Sequence, residues 1–418
     1  MAVIDFREIS RLAELWGIRD VAPELSLEDC SDSESHGRQV WSQVNRLPRS
    51  LAEQIRRSVF TDGERPIRVT VVAPVFLMGG AEQWIASLCW WLDPDRARVN
   101  RVIVTAPNAT DPVSVEWLPR SVELVQCARE LTAISSDMVG DVVVTWGLRN
   151  LSELVGDLRV PVIDVQHGVE LSDAWQWPLV QAVHRAAELP HVSFAAVNEL
   201  CLQNYSSVAR EKMAVIENGA DPRRCLPLSS PLELRHRHGI HETHQLALYL
   251  GRVGAGKNWE ILYELADALP SEWRVAVIGP NYTGGKRIPK HDRVIRVPTV
   301  SHPGTWLAAA DVLVHPSDFE SHCYSINEAW LAGLPVVSTD YPVNRQFQRR
   351  HGKLMEMVRV RPEASVLRKA VLRASESGRR GIVAQRAKDM AERRYSAHVS
   401  AAKWLTLLES KVDRQSSR

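Results

Sequence analysis

From Ile67 onward the chain alternates short apolar runs rich in β-branched residues with segments of helical periodicity, and this alternation constrains the fold more than any other feature. The runs IRVTVVA (67–73), VNRVIVTA (99–106), DVVVTW (141–146), VPVIDV (160–165), VSFAAV (192–197) and MAVIEN (213–218) lack the strict polar–apolar alternation of a sheet wetted on one face. Strands that are apolar on both faces belong to parallel sheets covered by helices on both sides. A second series begins at Gln245 with QLALYLG and continues with WRVAVIG (273–279), DRVIRV (292–297), DVLVH (311–315) and PVVST (335–339). The expected fold class is therefore α/β, with two doubly wound, Rossmann-like domains joined by the polar segment Arg223 to His244.

Residues 1–66 differ from the rest: two amphipathic stretches flank the acidic, Ser-rich interval Leu25 to Ser35, and Val40, Val44, Leu47, Leu51 and Ile55 fall at helical spacings around Pro48. The expected division is a helical extension over 1–66, an acceptor-side domain over 67–225, a nucleotide-binding domain over 226–395, and a helix over 396–418 returning to the first domain.

Composition removes several function classes. Among 418 residues, Lys+Arg 51 against Asp+Glu 50 leaves a net charge of +1, so no global field would gather nucleic acid. Six scattered cysteines without a C-x-x-C pair fit free thiols in a reducing compartment better than a disulfide framework or zinc site. Asp5, Arg7 and Glu8 interrupt the start where a secretion signal would be apolar, and the most apolar segments fall short of a spanning helix. The expectation is a cytoplasmic protein, with membrane contact at most peripheral at the inner face.

Ligands of open α/β sheets sit beyond the carboxyl ends of the strands, so the loops there carry the chemistry. The first strand runs into Leu77-Met78-Gly79-Gly80-Ala81-Glu82, where glycines permit either a plain tight turn or the approach of backbone amides to an anion. Gly251-Arg252-Val253-Gly254-Ala255-Gly256-Lys257 follows the first strand of the second domain. A guanidinium fork and an ammonium beside glycines and an expected helix start suit a diphosphate, whose charge needs neutralising when it leaves. The Asn258 that follows excludes a Walker A loop. The richest segment runs from His315 to Pro335: a strand end, a loop presenting Glu320, a short helix carrying Glu328, and Gly333 as its stop. Carboxylates accept paired hydrogen bonds from vicinal diols, which suits a sugar or ribose. Glu328 can equally close a capping box with Ser325.

The order GGAE, QHG, ENGAD, GR-x4-K and PSxxE-x7-E followed by AGLPVV resembles the retaining GT-B glycosyltransferases of family 4, over about residues 67 to 395. Carried over by position, the resemblance implies that Arg252 and Lys257 hold the donor diphosphate, Glu328 the ribose hydroxyls and Glu320 the transferred sugar. It also implies that His167 stands at the sugar and that the amide of Gly80 approaches the donor. Where the family commonly has a small Gly-aromatic-Gly stretch, this chain has Ser321, His322 and Cys323, followed by Tyr324, making a bulkier donor pocket.

Other patterns mislead. Asp93-Pro94-Asp95 is a literal D-x-D but follows a helical segment, where Asp-Pro ends the helix. The histidines of RHRHGIHETH lack H-E-x-x-H spacing and read as a solvated linker. Trp90-Trp91 and Trp175-Gln176-Trp177 can form an acceptor platform, though packing is the plainer role. The expected reaction is transfer of a sugar, with retention, from a nucleotide-diphosphate donor to a hydroxyl of a glycan, lipid-linked glycan or small molecule, needing neither cofactor nor metal. A GT-B-fold epimerase and a non-catalytic sugar-binding protein are the competing readings.

Overall fold

The computed structural model describes residues 65–129, 131–168, 177–284, 287–377 and 381–416. The helical extension expected over 1–66 lies outside them apart from Arg65 and Pro66.

The first domain is a seven-stranded, wholly parallel sheet in the order β3-β2-β1-β4-β5-β6-β7, formed by β1 (Ile67–Ala73), β2 (Ala97–Val104), β3 (Glu123–Gln126), β4 (Val142–Trp146), β5 (Val162–Gln166), β6 (Val192–Ala196) and β7 (Met213–Val215). Every residue of the central strands β5 and β6 is buried, as a two-sided sheet demands. The edge strand β3 (ELVQ) buries none of its residues fully, which is why its sequence carries no strand signal.

The second domain is a six-stranded parallel sheet in the order β12-β10-β8-β13-β14-β15, from β8 (Gln245–Leu250), β10 (Trp273–Ile278), β12 (Val294–Val297), β13 (Val312–His315), β14 (Val336–Thr339) and β15 (Glu356–Val358). A miniature parallel pair, β9 (Val253–Gly254) with β11 (Asn281–Tyr282), sits beyond the ends of β8 and β10.

The segment between the sheets is more ordered than a polar linker. It holds a 3-10 turn at Pro222–Cys225 and a helix at Pro231–Arg237, both packed on the helix Gly304–Ala309. The last helix, Ala397–Ser416, leaves the second domain and packs on the helix Gly80–Trp91 of the first, with Trp84 and Trp404 5.6 Å apart between ring centroids. The two crossings between domains are hydrogen-bonded to each other: Ala220 N donates to Tyr395 O at 2.9 Å and Ala397 N to Ala220 O at 2.8 Å.

Strand order reverses between β1 and β4 in the first sheet and between β8 and β13 in the second. At such a switch point adjacent connections leave on opposite faces and a crevice opens. The loops after β1, β4, β8 and β13 therefore converge on one cleft.

Candidate functional site

The loop after β8 carries Arg252 and Lys257. The helix expected to open at Lys257 starts at Ile261, so the loop's positive charge comes from its side chains rather than from a helix end. What fixes the loop is the neighbouring strand end. Asp318 N donates to Gly256 O at 2.9 Å, and Asn258 Nδ2 donates to Pro316 O at 2.9 Å and to Asp318 Oδ1 at 2.7 Å. Asn258 holds a left-handed backbone (φ 46°), which asparagine tolerates better than most residues. This stitching brings Lys257 Nζ into an ion pair with Glu320. Arg252 lies with its guanidinium carbon 5.8 Å from the ring centre of Tyr282, while its carbonyl accepts from Tyr249 Oη at 2.7 Å.

A close backbone contact shapes the same corner. A Cβ on Gly279 would stand 1.9 Å from Gly251 O, and its φ of 142° disfavours a side chain in any case. Glycine there lets the ends of β8 and β10 meet.

The helix after Glu320 spans Tyr324–Leu331 with Cys323 at its N-cap. Ser325 does not cap it; its hydroxyl donates to Leu250 O at 2.7 Å, tying the helix to β8. The capping-box reading of Ser325 with Glu328 is thereby corrected. Glu328 occupies the second turn, is 2% exposed, and pairs with Arg224 Nε at 3.4 Å. Burial raises its carboxyl above the ordinary value and Arg224 opposes that rise. Glu320 goes the other way: burial pulls it up, but Lys257 and His315 outweigh burial and hold it below the ordinary carboxylate value.

Two cavities that share lining residues, among them Gly80, Arg252 and Glu320, meet here. One, of about 180 Å³, lies on the second domain between Lys257, Glu320, Glu328 and the loop Thr299–Val300, with Gly80 on the opposite lip. The other, of about 630 Å³, extends into the first domain past Arg252, Ser321 and His322 to His167, Asp164 and Trp146. The structure thus brings all the sequence-predicted site residues, Gly80, His167, Arg252, Lys257, Glu320, Ser321, His322, Cys323, Tyr324 and Glu328, to the walls of one cleft.

Their orientations differ. His167 is held edge-on by Trp84 (5.2 Å) and Trp146 (6.0 Å), its Nε2 is buried without a hydrogen-bond partner among the described residues, and burial pushes its pKa down to about 3. It is a neutral imidazole at physiological pH. His322 turns its ring among Phe347 and Tyr395, 5.7 and 5.5 Å away, and burial likewise takes it to about 3. Gly80 faces Tyr324 so closely that a Cβ would stand 3.2 Å from the ring, which lets the two domain lips approach.

Several residues of the cleft escaped the sequence reading. Glu82, in the GGAE motif, is 4% exposed, accepts from Leu77 N at 3.3 Å, and is raised by burial to about 7 near Arg252. Asp164 is also raised by burial to about 7, while Thr145 Oγ1 donates to it at 2.6 Å and Gln166 Nε2 donates to its other oxygen. The carboxyl inside a strand (VIDVQ) was the available signal. His315 and Tyr249 stack at 6.3 Å behind Glu320. Arg224 spans the domains, bonding Ser301 O at 2.7 Å and lying 4.6 Å over the ring of Trp117.

The discounted patterns fall elsewhere. Asp93 and Asp95 form an exposed turn after the helix Gly80–Trp91, at the end remote from the cleft. Trp90 and Trp91 are covered by Arg223, at 4.4 and 5.1 Å, so they pack against the segment between the sheets. Residues 169–176, including Trp175 and Gln176, lie outside the described residues.

The chain is similar in sequence and in fold to known proteins. Residues 244–376 match the family model described as glycosyl transferases group 1. Over 167 residues, 39% of this chain and 32% of the relative, the sequence is 30% identical to a sulfoquinovosyl transferase of Arabidopsis thaliana. Over 117 residues, 25% of this chain and 28% of the relative, it is 32% identical to a D-inositol 3-phosphate glycosyltransferase of Xylanimonas cellulosilytica. The chain thus spans about a third of the length of these curated relatives. Among solved structures, Anabaena HepE in complex with UDP-glucose superposes with a TM-score of 0.67 over 82% of this chain and 100% of that one, at 17% identity. Sucrose-phosphate synthase from Thermosynechococcus elongatus does so with a TM-score of 0.63 over 82% and 98%, at 15% identity. At such identities the likeness is one of architecture, and the architecture is that of the GT-B glycosyltransferases.

Proposed function

We propose that this chain is a retaining glycosyltransferase that takes a sugar from a nucleotide-diphosphate donor. The observation that carries the reading is the gathering, on the walls of one switch-point crevice, of the cations Arg252 and Lys257 and the carboxylates Glu320 and Glu328, with Lys257 and Glu320 ion-paired. The cations neutralise the departing diphosphate, Glu328 anchors ribose hydroxyls, and Glu320 faces the transferred sugar. The sugar would then stand at the junction of the two cavities, with His167 across from it and the acceptor arriving through the first domain.

His167 held neutral can accept or donate a hydrogen bond to a sugar hydroxyl without adding charge to the site. Retention without an enzymic nucleophile suits a front-face route, in which the leaving phosphate helps take the acceptor proton. The protein's part is then charge stabilisation and positioning in a closed cleft. Arg252 and Lys257 provide the positive charge that a divalent ion otherwise would, so turnover proceeds without a metal. HepE's complex with UDP-glucose makes UDP-sugars the first donors to try.

The test is a panel of UDP-, GDP- and ADP-sugars, read first as thermal shift and then as release of nucleoside diphosphate with and without chelator. Binding raises apparent stability whether or not chemistry follows. A shift without diphosphate release, for every donor and acceptor tried, would favour a non-catalytic sugar-binding protein. Conversion of the donor sugar without an acceptor would favour an epimerase. Activity abolished by chelation and restored by Mn²⁺ would refute the metal-free part.

A further inference from the structure

Three ligand-bearing side chains meet on the wall of the smaller cavity in a way that sugar transfer does not require. His315 ends β13, Glu320 follows in the loop, and Cys323 stands at the N-cap of the helix Tyr324–Leu331. His315 Nε2 lies 3.2 Å from Cys323 Sγ and 3.4 Å from a Glu320 oxygen, and one ligand atom from each residue lies within 4.8 Å of the others. Among the described residues no other three or more His, Cys, Asp or Glu side chains converge in this way. All three line the cavity, so an ion can reach them from the cleft.

The spacing suits a small tetrahedral ion. At zinc bond lengths of about 2.0–2.3 Å, neighbouring ligand atoms stand roughly 3.3–3.6 Å apart, and the two short separations here need adjust by only a few tenths of an ångström. An imidazole, a thiol and a single carboxylate suit zinc or cobalt rather than magnesium, which prefers an all-oxygen set. We propose that His315 Nε2, Cys323 Sγ and Glu320 form a binding site for a zinc-class divalent cation, with its open position toward the donor cavity, so that the cation and a nucleoside diphosphate bind cooperatively.

Binding is a ligation with no redox step. The imidazole and carboxylate each give a lone pair, and the thiol binds as thiolate, releasing its proton to solvent. Glu320 exchanges its pairing with Lys257 for the metal. Counting Lys257, Glu320, the thiolate and the ion, the local charge moves from about zero to about +1, and the fourth coordination position faces where the diphosphate sits. Both changes favour the anion, and coupling is reciprocal. The site itself stands independently of the glycosyltransferase reading; the coupling rests on it. The ion is an accessory to diphosphate binding and is not needed for turnover.

Co²⁺ is the probe, titrated into chelator-treated full-length protein with and without UDP, GDP or ADP. The expected result is one equivalent bound with a thiolate-to-cobalt charge-transfer band. The band should be lost in both Cys323→Ala and His315→Ala, retained in the surface control His241→Ala/His244→Ala, and displaced by Zn²⁺. Cobalt affinity should rise at least severalfold with the nucleoside diphosphate that binds. Absence of the band, or its survival in folded Cys323→Ala, overturns the site; affinity unchanged or weakened by the bound nucleotide overturns the coupling. Failure of every nucleotide to bind the metal-free protein counts against the glycosyltransferase reading and leaves a cobalt band, where present, as evidence for the site.

Discussion

Lys257 and Glu320 stand 63 residues apart in sequence yet share one ion pair, and neither charge is fully meaningful without the other. Replacing Lys257 with Ala removes a charge-assisted contact to the donor and leaves Glu320 without its main compensating charge. The expected loss in nucleoside diphosphate affinity is about 1.5–3 kcal/mol, roughly ten- to hundredfold in Kd. Calorimetric titration of the folded variant checks this, and an unchanged Kd would remove Lys257 from the diphosphate site. The two glutamates separate by address. Glu328, buried beneath Arg224 on the second helical turn, should on conversion to Gln lose nucleotide affinity. In chelator-treated, metal-free protein, Glu320→Gln should bind the bare nucleoside diphosphate nearly as before while kcat with the full donor falls, because contacts to the sugar gain strength as it distorts toward the transition state. Kd and kcat measured for both variants decide the matter; the reverse pattern would exchange their roles. The motifs made each of these residues visible in the sequence. The pairing was not, because a contact between loops from two strands leaves no periodicity to read.

At the level of elements, the central strands were legible because burial on both faces writes continuous apolar runs, as in β5 and β6. The edge strands β3 and β15 (ELVQ and EMV) were not, since half-exposed strands admit glutamate and glutamine. The helix start after Lys257 was misplaced because Asn258, in a left-handed turn, delays it to Ile261. Two predictions belong here. Gly279→Ala sets a Cβ against Gly251 O and strains the turn that joins the ends of β8 and β10. Nucleotide binding should fall at least tenfold and the melting temperature should drop; retention of both would show that the loop relaxes freely. Asp164 inside β5 gives a pH signature. Its pKa is raised by burial to about 7, whereas the unfolded chain loses that proton near pH 4. The stability linked to this proton is therefore fully present below about pH 4 and is lost as pH rises to about 7, on the order of 4 kcal/mol in all. Asp164→Asn should flatten the fall in melting temperature across that interval. An unchanged slope would show that the native carboxyl titrates normally.

For the whole molecule, the cleft lies between two sheets whose buried residues join in one apolar cluster. The resemblance over residues 67 to 395 and the strand pattern anticipated two domains, and a last helix returning to the first was expected, but the ion pairs between the domains were not legible, because contacts between residues far apart in sequence leave no motif. Two arginines bridge the gap in contrasting surroundings. Arg350, on the helix Pro342–His351, reaches Glu199 and Glu217 of the first domain; Glu199 is largely exposed, and Glu217 keeps Lys403 at 3.7 Å and Tyr395 Oη at 3.5 Å when Arg350 is gone. Exposed pairs contribute about 0–1 kcal/mol, so Arg350→Ala should shift the melting temperature by no more than a few degrees. Arg224 instead sits between Trp117, Ser301 O and the buried carboxyl of Glu328. Removing it strands Glu328 in the protein interior, where breaking a buried pair costs roughly 3–5 kcal/mol. Protonation of Glu328, whose carboxyl burial already lifts, limits that cost at low pH, so the defect of Arg224→Ala should deepen as pH rises above the carboxylate range. Calorimetric melting of both variants from acid to neutral pH provides the comparison. Equal, pH-independent losses would mean that Arg224 acts only as a packing side chain, whereas a large loss confined to Arg224→Ala and relieved by acid would locate the main electrostatic joint between the domains at the ribose end of the proposed donor site.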